Sequence, residues 1–242
     1  MPKFETPFEQ LADEGTVFLL NKPLEWTSFD VVNKLKWNLK KTFSKIKIGH
    51  AGTLDPLADG LLIVCCGKKT KTIESIQNQQ KTYIAEIFIG ATRPSFDRET
   101  EIDAHFETPD TSIEKIKSVV HSFVGKQMQF PPIFSAIKQE GKPVYLKARA
   151  GKEVVMTAKE IQIYKLEIVD YDFPILKLHI ECSKGTYIRS LAHDIGKALD
   201  SGAYLHGLKR TAIGNYKIEE AWEIEDLIEV LKNQKELQQI KN

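Results

Sequence analysis

A chain of 242 residues that is 42% hydrophobic can bury a full core, and its length fits one large domain or two small ones. Its net charge of +1 excludes a simple polycation, and no apolar run approaches the roughly 20 residues that a membrane-spanning helix needs. The stretch from Met1 to Gly15 carries Lys3, Glu5, Glu9, Asp13 and Glu14 and does not resemble a secretory signal, while three cysteines, Cys65, Cys66 and Cys182, form neither a disulfide framework nor a zinc spacing, so a reducing cytoplasm is the expected setting.

Thr16 to Leu20 is a β-like run, and Asn21-Lys22-Pro23 predicts a turn after it. A helix follows, capped by Thr27 with Asp30 three residues on, with Val32, Leu35 and Leu39 on one face and lysines on the other. Then comes Gly49-His50-Ala51-Gly52-Thr53-Leu54-Asp55-Pro56-Leu57-Ala58-Asp59-Gly60. Its glycines permit backbone conformations closed to other residues, and Pro56 pushes Asp55 away from helical geometry, so the loop is shaped and presents one carboxylate. On the loop alone a plain turn cap is an equal reading, because Asp before Pro is ordinary loop chemistry. Leu61 to Cys66 is short and apolar enough for a buried strand.

Thr70 to Gln77 suggests a short helix, and from Tyr83 to Ile89 the alternation of Tyr83, Ala85, Ile87 and Ile89 with Ile84, Glu86 and Phe88 predicts a strand. Thr111 with Glu114 forms a capping box for a helix that Gly125 is placed to end. Gln127 to Lys152 holds Pro131-Pro132, Gly141, Pro143 and Gly151 with Lys138, Lys142, Lys147, Arg149 and Lys152 among Phe130, Phe134 and Tyr145. It is expected to be a long basic excursion that binds or covers something. Ile161 to Tyr171 and Ile175 to Cys182 predict a hairpin pivoting at Asp172-Phe173-Pro174, and Lys184 to Arg189 leads into a helix through Leu199. That sets Arg189 at a strand-to-helix junction.

Charge is segregated along the chain. Lys34, Lys36, Lys40, Lys41, Lys45 and Lys47 precede the Asp55 loop and Lys68, Lys69 and Lys71 follow it, whereas Glu219, Glu220, Glu223, Glu225, Asp226 and Glu229 make the C-terminal segment acidic. Basic flanks around one loop point to a polyanionic partner. A carboxylate that must stay ionised in an apolar pocket is well served by a guanidinium, a role open to Arg189. A tyrosine face can stack on a nucleobase for about 1–3 kcal/mol, and Tyr83 and Tyr187 are the candidates.

These residues resemble the TruB family of pseudouridine synthases. Gly49 to Gly60 matches its G-H-x-G-x-L-D-P-x-A-x-G motif, Lys81-Thr82-Tyr83 its K-x-Y motif and Cys182 to Arg189 its C-S-x-G-T-Y-I-R motif, with Asn21-Lys22-Pro23 and Leu208-Lys209-Arg210 also in family order. The resemblance implies an α/β fold of α+β type, with a mixed, largely antiparallel central sheet, flanking helices and a basic thumb at about 127–152. It implies a single catalytic domain over 1–242, and isomerisation of uridine 55 in the tRNA T loop without cofactor or metal. By the same resemblance Asp55 is the nucleophile or base, Tyr83 stacks on the uracil, Arg189 pairs with Asp55, His50, Tyr187 and Leu208 line the site, and Lys22 contacts phosphate. The expected partner is the T stem-loop of tRNA, flipped open at one base; no membrane and no guide RNA are expected, and the chain is expected to act as a monomer.

Two departures stand out. The family's T-x-T-x-D stretch reads Thr92-Arg93-Pro94-Ser95-Phe96-Asp97, and only about 25 residues follow Ile218, an acidic remnant at about 219–242 in place of a full C-terminal PUA domain. That remnant is expected to form a helix on the catalytic domain.

Overall fold

The computed structural model describes residues 10–241 apart from 12, 44, 109–110, 136–137, 140–141 and 144–155. In chain order come β1 (Val17–Lys22), α1 (Ser28–Lys40), β2 (Ile48–His50), β3 (Ala58–Cys66), α2 (Ile73–Gln77), β4 (Lys81–Ile89), β5 (Ala91–Thr92), β6 (Ala104–His105), α3 (Ile113–Ser122) and β7 (Gly125–Gln129). They are followed by β8 (Lys138–Gln139), β9 (Lys142–Pro143), β10 (Lys159–Asp172), β11 (Ile175–Cys182), α4 (Ile188–Ala198), β12 (Ala203–Ile213), β13 (Tyr216–Lys217), β14 (Trp222–Glu223) and α5 (Ile224–Lys241). The chain divides into two compact units, Met1–Lys81 with Lys209–Asn242, and Thr82–Leu208.

In the first unit β1 lies parallel to β14 and antiparallel to β3, with Leu20 opposite Trp222 on one side and Leu62 on the other. β2 adds antiparallel to β3. Strand β3 is buried on both faces, which is why its sequence is a continuous apolar run instead of an alternation. Leu62, Val64 and Cys66 join Phe18, Val31, Leu35 and Leu227 in one core, and Leu61, Ile63 and Cys65 join Ile76 and Ile213 in another. Each such side chain taken out of water contributes about 1.5–3 kcal/mol. Helix α1 starts as predicted: the Thr27 hydroxyl accepts from the Asp30 N–H while the Asp30 carboxylate accepts from the Thr27 N–H, a reciprocal box. Its Val31, Leu35 and Leu39 pack with Leu227, Ile228 and Leu231 of α5, so the acidic C-terminal segment does form a helix against this core.

In the second unit β4 is followed across the sheet by β11, β10 and β7. β10 and β11 form the predicted antiparallel hairpin, with Leu166 opposite Ile180 and a cis Phe173-Pro174 bond at the pivot. β7 pairs antiparallel with β10. Tyr83, Ala85, Ile87 and Ile89 of β4 are all buried, as the alternation required.

The structure corrects the expectations around α3 and the basic excursion. Ser112, not Thr111, caps α3, its hydroxyl accepting from the Lys115 N–H, because the first helical residue is Ile113. Gly125 does not end the helix but opens β7, where its φ of +115° is a conformation that only glycine adopts readily. The first residues of the excursion, Gln127 to Gln129, therefore belong to the sheet, and the two short strands β8 and β9 pair within it. Tyr145, Lys147, Arg149, Gly151 and Lys152 lie outside the described residues. Among the described residues no helix is long and apolar enough to cross a membrane.

Candidate active site

The Asp55 loop is held by its backbone. Five consecutive carbonyls, from Gly52 to Pro56, each accept a hydrogen bond. Arg210 donates to Gly52 at 3.0 Å and Thr53 at 3.3 Å, and its Nε reaches the carbonyl of Leu61 at 2.8 Å. The Ser28 hydroxyl donates to the Leu54 carbonyl at 3.0 Å and accepts the Leu54 N–H at 2.8 Å, so one side chain holds both backbone groups of the residue before Asp55. The Asp55 carbonyl accepts from Ala58 at 3.1 Å, and that of Pro56 accepts from Glu25 N–H at 2.8 Å. A buried, unpaired carbonyl costs about 1–3 kcal/mol, so this set of donors strongly favours one loop conformation.

Among the described residues Arg210 is the largest fully buried side chain, 1% exposed. Gly60 makes room for it: its φ is +103°, and a Cβ there would lie 2.4 Å from the Arg210 carbonyl oxygen. A larger residue would push the strand carrying Arg210 away from β3. Lys22 is equally hidden, 0% exposed, at the end of β1, and its ammonium donates to the carbonyls of Pro23 at 2.8 Å, Trp26 at 2.6 Å and Pro56 at 3.4 Å. Burial pulls its pKa down to about 8, against the opposing pull of Asp59 and Asp55. His50 ends β2 half-buried, and its pKa is lowered by burial and by the nearby Arg210 guanidinium, so it is neutral at pH 7. Lys22, His50 and Asp55 thus share the first unit with Arg210.

The second unit holds Tyr83, Tyr187, Arg189 and Leu208. Tyr83 is 8% exposed on β4. Tyr187 is the residue before α4, and Gln129 of β7 grips its backbone from both sides, Oε1 accepting its N–H at 2.8 Å and Nε2 donating to its carbonyl at 3.1 Å. Arg189 is the second residue of α4 and 5% exposed. Its Nη1 lies 3.5 Å from the Asp97 carboxylate and donates to the carbonyls of Phe134 at 3.0 Å and Ser95 at 3.4 Å. Asp97 is buried as well and accepts the Glu99 N–H at 2.9 Å, while Ser95 and Thr100 tie the two ends of that loop together. The altered stretch Thr92 to Asp97 therefore keeps a carboxylate that fixes Arg189. Leu208 is half-buried on β12.

Arg210, Ser28, Gln129 and Asp97 were given no site role by the sequence. Arg210 stood in a matched segment and Asp97 in a variant one, but Ser28 and Gln129 carry no local signal, since each acts on backbone far along the chain.

Comparison with known proteins identifies the family. Residues 40–188 match the family model described as TruB family pseudouridylate synthase, N-terminal domain, and residues 189–241 that described as tRNA pseudouridylate synthase B C-terminal domain. The solved Cbf5-Nop10-Gar1 complex contains a chain that superposes with a TM-score of 0.70 at 29% identity, over 93% of this chain and 56% of that one. The fold and these matches define a pseudouridine synthase, an isomerase. Among curated relatives, the tRNA pseudouridine synthase B of Parabacteroides distasonis is 50% identical over 89% of this chain and 94% of its own length. That of Phocaeicola vulgatus is 47% identical over 95% and 98%. The chain belongs to the TruB family.

Proposed function

We propose that this chain modifies tRNA, isomerising uridine 55 of the T loop to pseudouridine with Asp55 as nucleophile or base on a flipped-out nucleotide. The observation that carries the reading is the Asp55 loop, in which every carbonyl from Gly52 to Pro56 is engaged by a protein donor. Such a backbone holds a reacting carboxylate in place before substrate arrives, which is how positioning lowers a barrier. Relatives named for tRNA pseudouridine synthesis, matched over nearly their whole length, support tRNA as the substrate.

In this reading the base leaves C1′ of its ribose, turns while enclosed and rejoins through C5. Asp55 acts beside the sugar, Tyr83 stacks on the uracil, and Arg189 supplies the fixed positive charge. His50, Tyr187 and Leu208 line the site, His50 as a neutral imidazole. Lys22, with its ammonium turned onto three carbonyls, serves the site by bracing the Asp55 loop. Both units act as one catalytic domain without cofactor or guide RNA. Substitution Asp55→Asn is expected to abolish pseudouridine formation on a tRNA transcript while tRNA affinity stays within several-fold. Persistent turnover by the variant would sink the assignment.

A further inference from the structure

Helix α1 buries Val31, Val32, Leu35 and Leu39 and leaves Phe29, Asn33, Trp37 and Lys40 to solvent, with Phe29 66% and Trp37 64% exposed. Positions i, i+4, i+8 and i+11 share one side of a helix, so these four make a stripe about 16 Å long. Two large aromatics on a stripe of amide and lysine are poorly suited to water and well suited to a partner. The stripe ends in positive charge. The Lys41 ammonium sits 3.3 Å from the centroid of the Trp37 ring, and the Lys235 ammonium of α5 donates to the Lys41 carbonyl at 3.0 Å. Lys41, Lys232 and Lys235, with Asn38, Thr42 and Leu231, surround a cleft of about 30 Å3.

Two other lysines of this unit have carboxylate partners: Lys34 pairs with Glu225 and Lys68 with Glu14. Among the described residues no carboxylate pairs with Lys41, Lys232 or Lys235, and the proton affinity of Lys41 is lowered by desolvation and by the charges of Lys232 and Lys235. Three ammonium groups around one cleft repel until an anion enters. A phosphate diester supplies that anion and brings bases for the aromatic stripe, a combination that an acidic peptide lacks.

We propose that the exposed stripe of α1, together with Lys41, Lys232 and Lys235, is an RNA-docking surface in which the lysines hold backbone phosphates and Trp37 and Phe29 stack on exposed bases. The C-terminal helix thereby takes part in gripping the substrate, a role its acidic first turns conceal in sequence. This surface rests on the reading that tRNA is the substrate.

The test compares the full chain with Lys41→Gln/Lys232→Gln/Lys235→Gln, with the corresponding triple arginine variant and with Trp37→Ala, using an unmodified tRNA transcript across a salt series. The triple glutamine variant is expected to melt like wild type, to bind at least about tenfold more weakly near physiological salt and to lose about 2 units of salt-dependence slope, since each phosphate contact contributes roughly 0.7–0.9. Its kcat at saturating tRNA stays within about twofold of wild type, the arginine variant restores binding, and Trp37→Ala weakens affinity without changing the slope. Wild-type affinity and slope in the glutamine variant would overturn the proposal, as would a loss that arginine does not restore. Failure of the substrate reading looks different: the wild-type chain itself would bind the transcript without modifying it, in which case the surface stands, or would not bind it, in which case both fall.

Discussion

The Asp55 loop and the start of α4 solve opposite electrostatic problems with similar parts. In the first, a carboxylate is presented by a backbone that buried cations hold, Arg210 donating to the carbonyls of Gly52 and Thr53 and Lys22 to that of Pro56. In the second, a cation, Arg189, is itself the candidate functional group, and a buried carboxylate, Asp97, holds it. Each region also uses one neutral side chain to grip a neighbouring residue at both N–H and carbonyl, Ser28 on Leu54 and Gln129 on Tyr187. The difference lies in the partners: Arg210 donates to the carbonyls of Gly52, Thr53 and Leu61, whereas Arg189 adds a buried carboxylate to its carbonyl partners Ser95 and Phe134.

The comparison breaks first at Asp97. Removing one partner of a buried ion pair strands the other, so Asp97→Ala is expected to destabilise the protein by about 3 kcal/mol or more in urea unfolding; a loss under 1 kcal/mol would mean that Arg189 does not depend on it. Next, Arg210→Lys keeps the charge but loses the fork that reaches several carbonyls at once. Turnover is expected to fall about 100-fold with tRNA affinity unchanged, the size of a small misplacement of a reacting group. An equal fall in affinity would instead make Arg210 a substrate contact.

Ser28→Ala and Gln129→Ala sharpen the contrast, each expected to cost about 1–2 kcal/mol of stability because each removes two hydrogen bonds to backbone, those to Leu54 and those to Tyr187. Ser28→Ala should lower kcat more than Gln129→Ala, since Leu54 adjoins Asp55 whereas Tyr187 stands two residues from Arg189. The smallest effect concerns Lys22. Its pKa in the fold is about 8 against an ordinary 10.5, so the cost of burying its charge is fully present below about pH 8 and is relieved as pH rises toward 10.5. Stability of the wild type relative to Lys22→Met is therefore expected to rise by about 1 kcal/mol between pH 7 and about 8.7. The opposite slope would show a paired, not a desolvated, lysine.

Much of this was legible in the chain. Thr27 with Asp30 set the start of α1, the double-faced burial of β3 was written as an unbroken apolar run, and the glycines and proline around Asp55 marked a shaped loop. The braces were not legible, because Ser28 meets Leu54 across 26 residues and Arg210 meets Gly52 across 158. Local patterns report periodicity and turns, not which distant donor will satisfy a carbonyl. The choice of Thr111 over Ser112 as cap failed for a smaller reason, since two adjacent hydroxyl residues differ only in which one the first helical turn reaches.

The most direct test of the account is to map pseudouridine in an unmodified tRNA transcript treated with the purified chain and no guide RNA. A single new pseudouridine at position 55 of the T loop is the predicted result; modification elsewhere, or none without an added guide RNA, would contradict it.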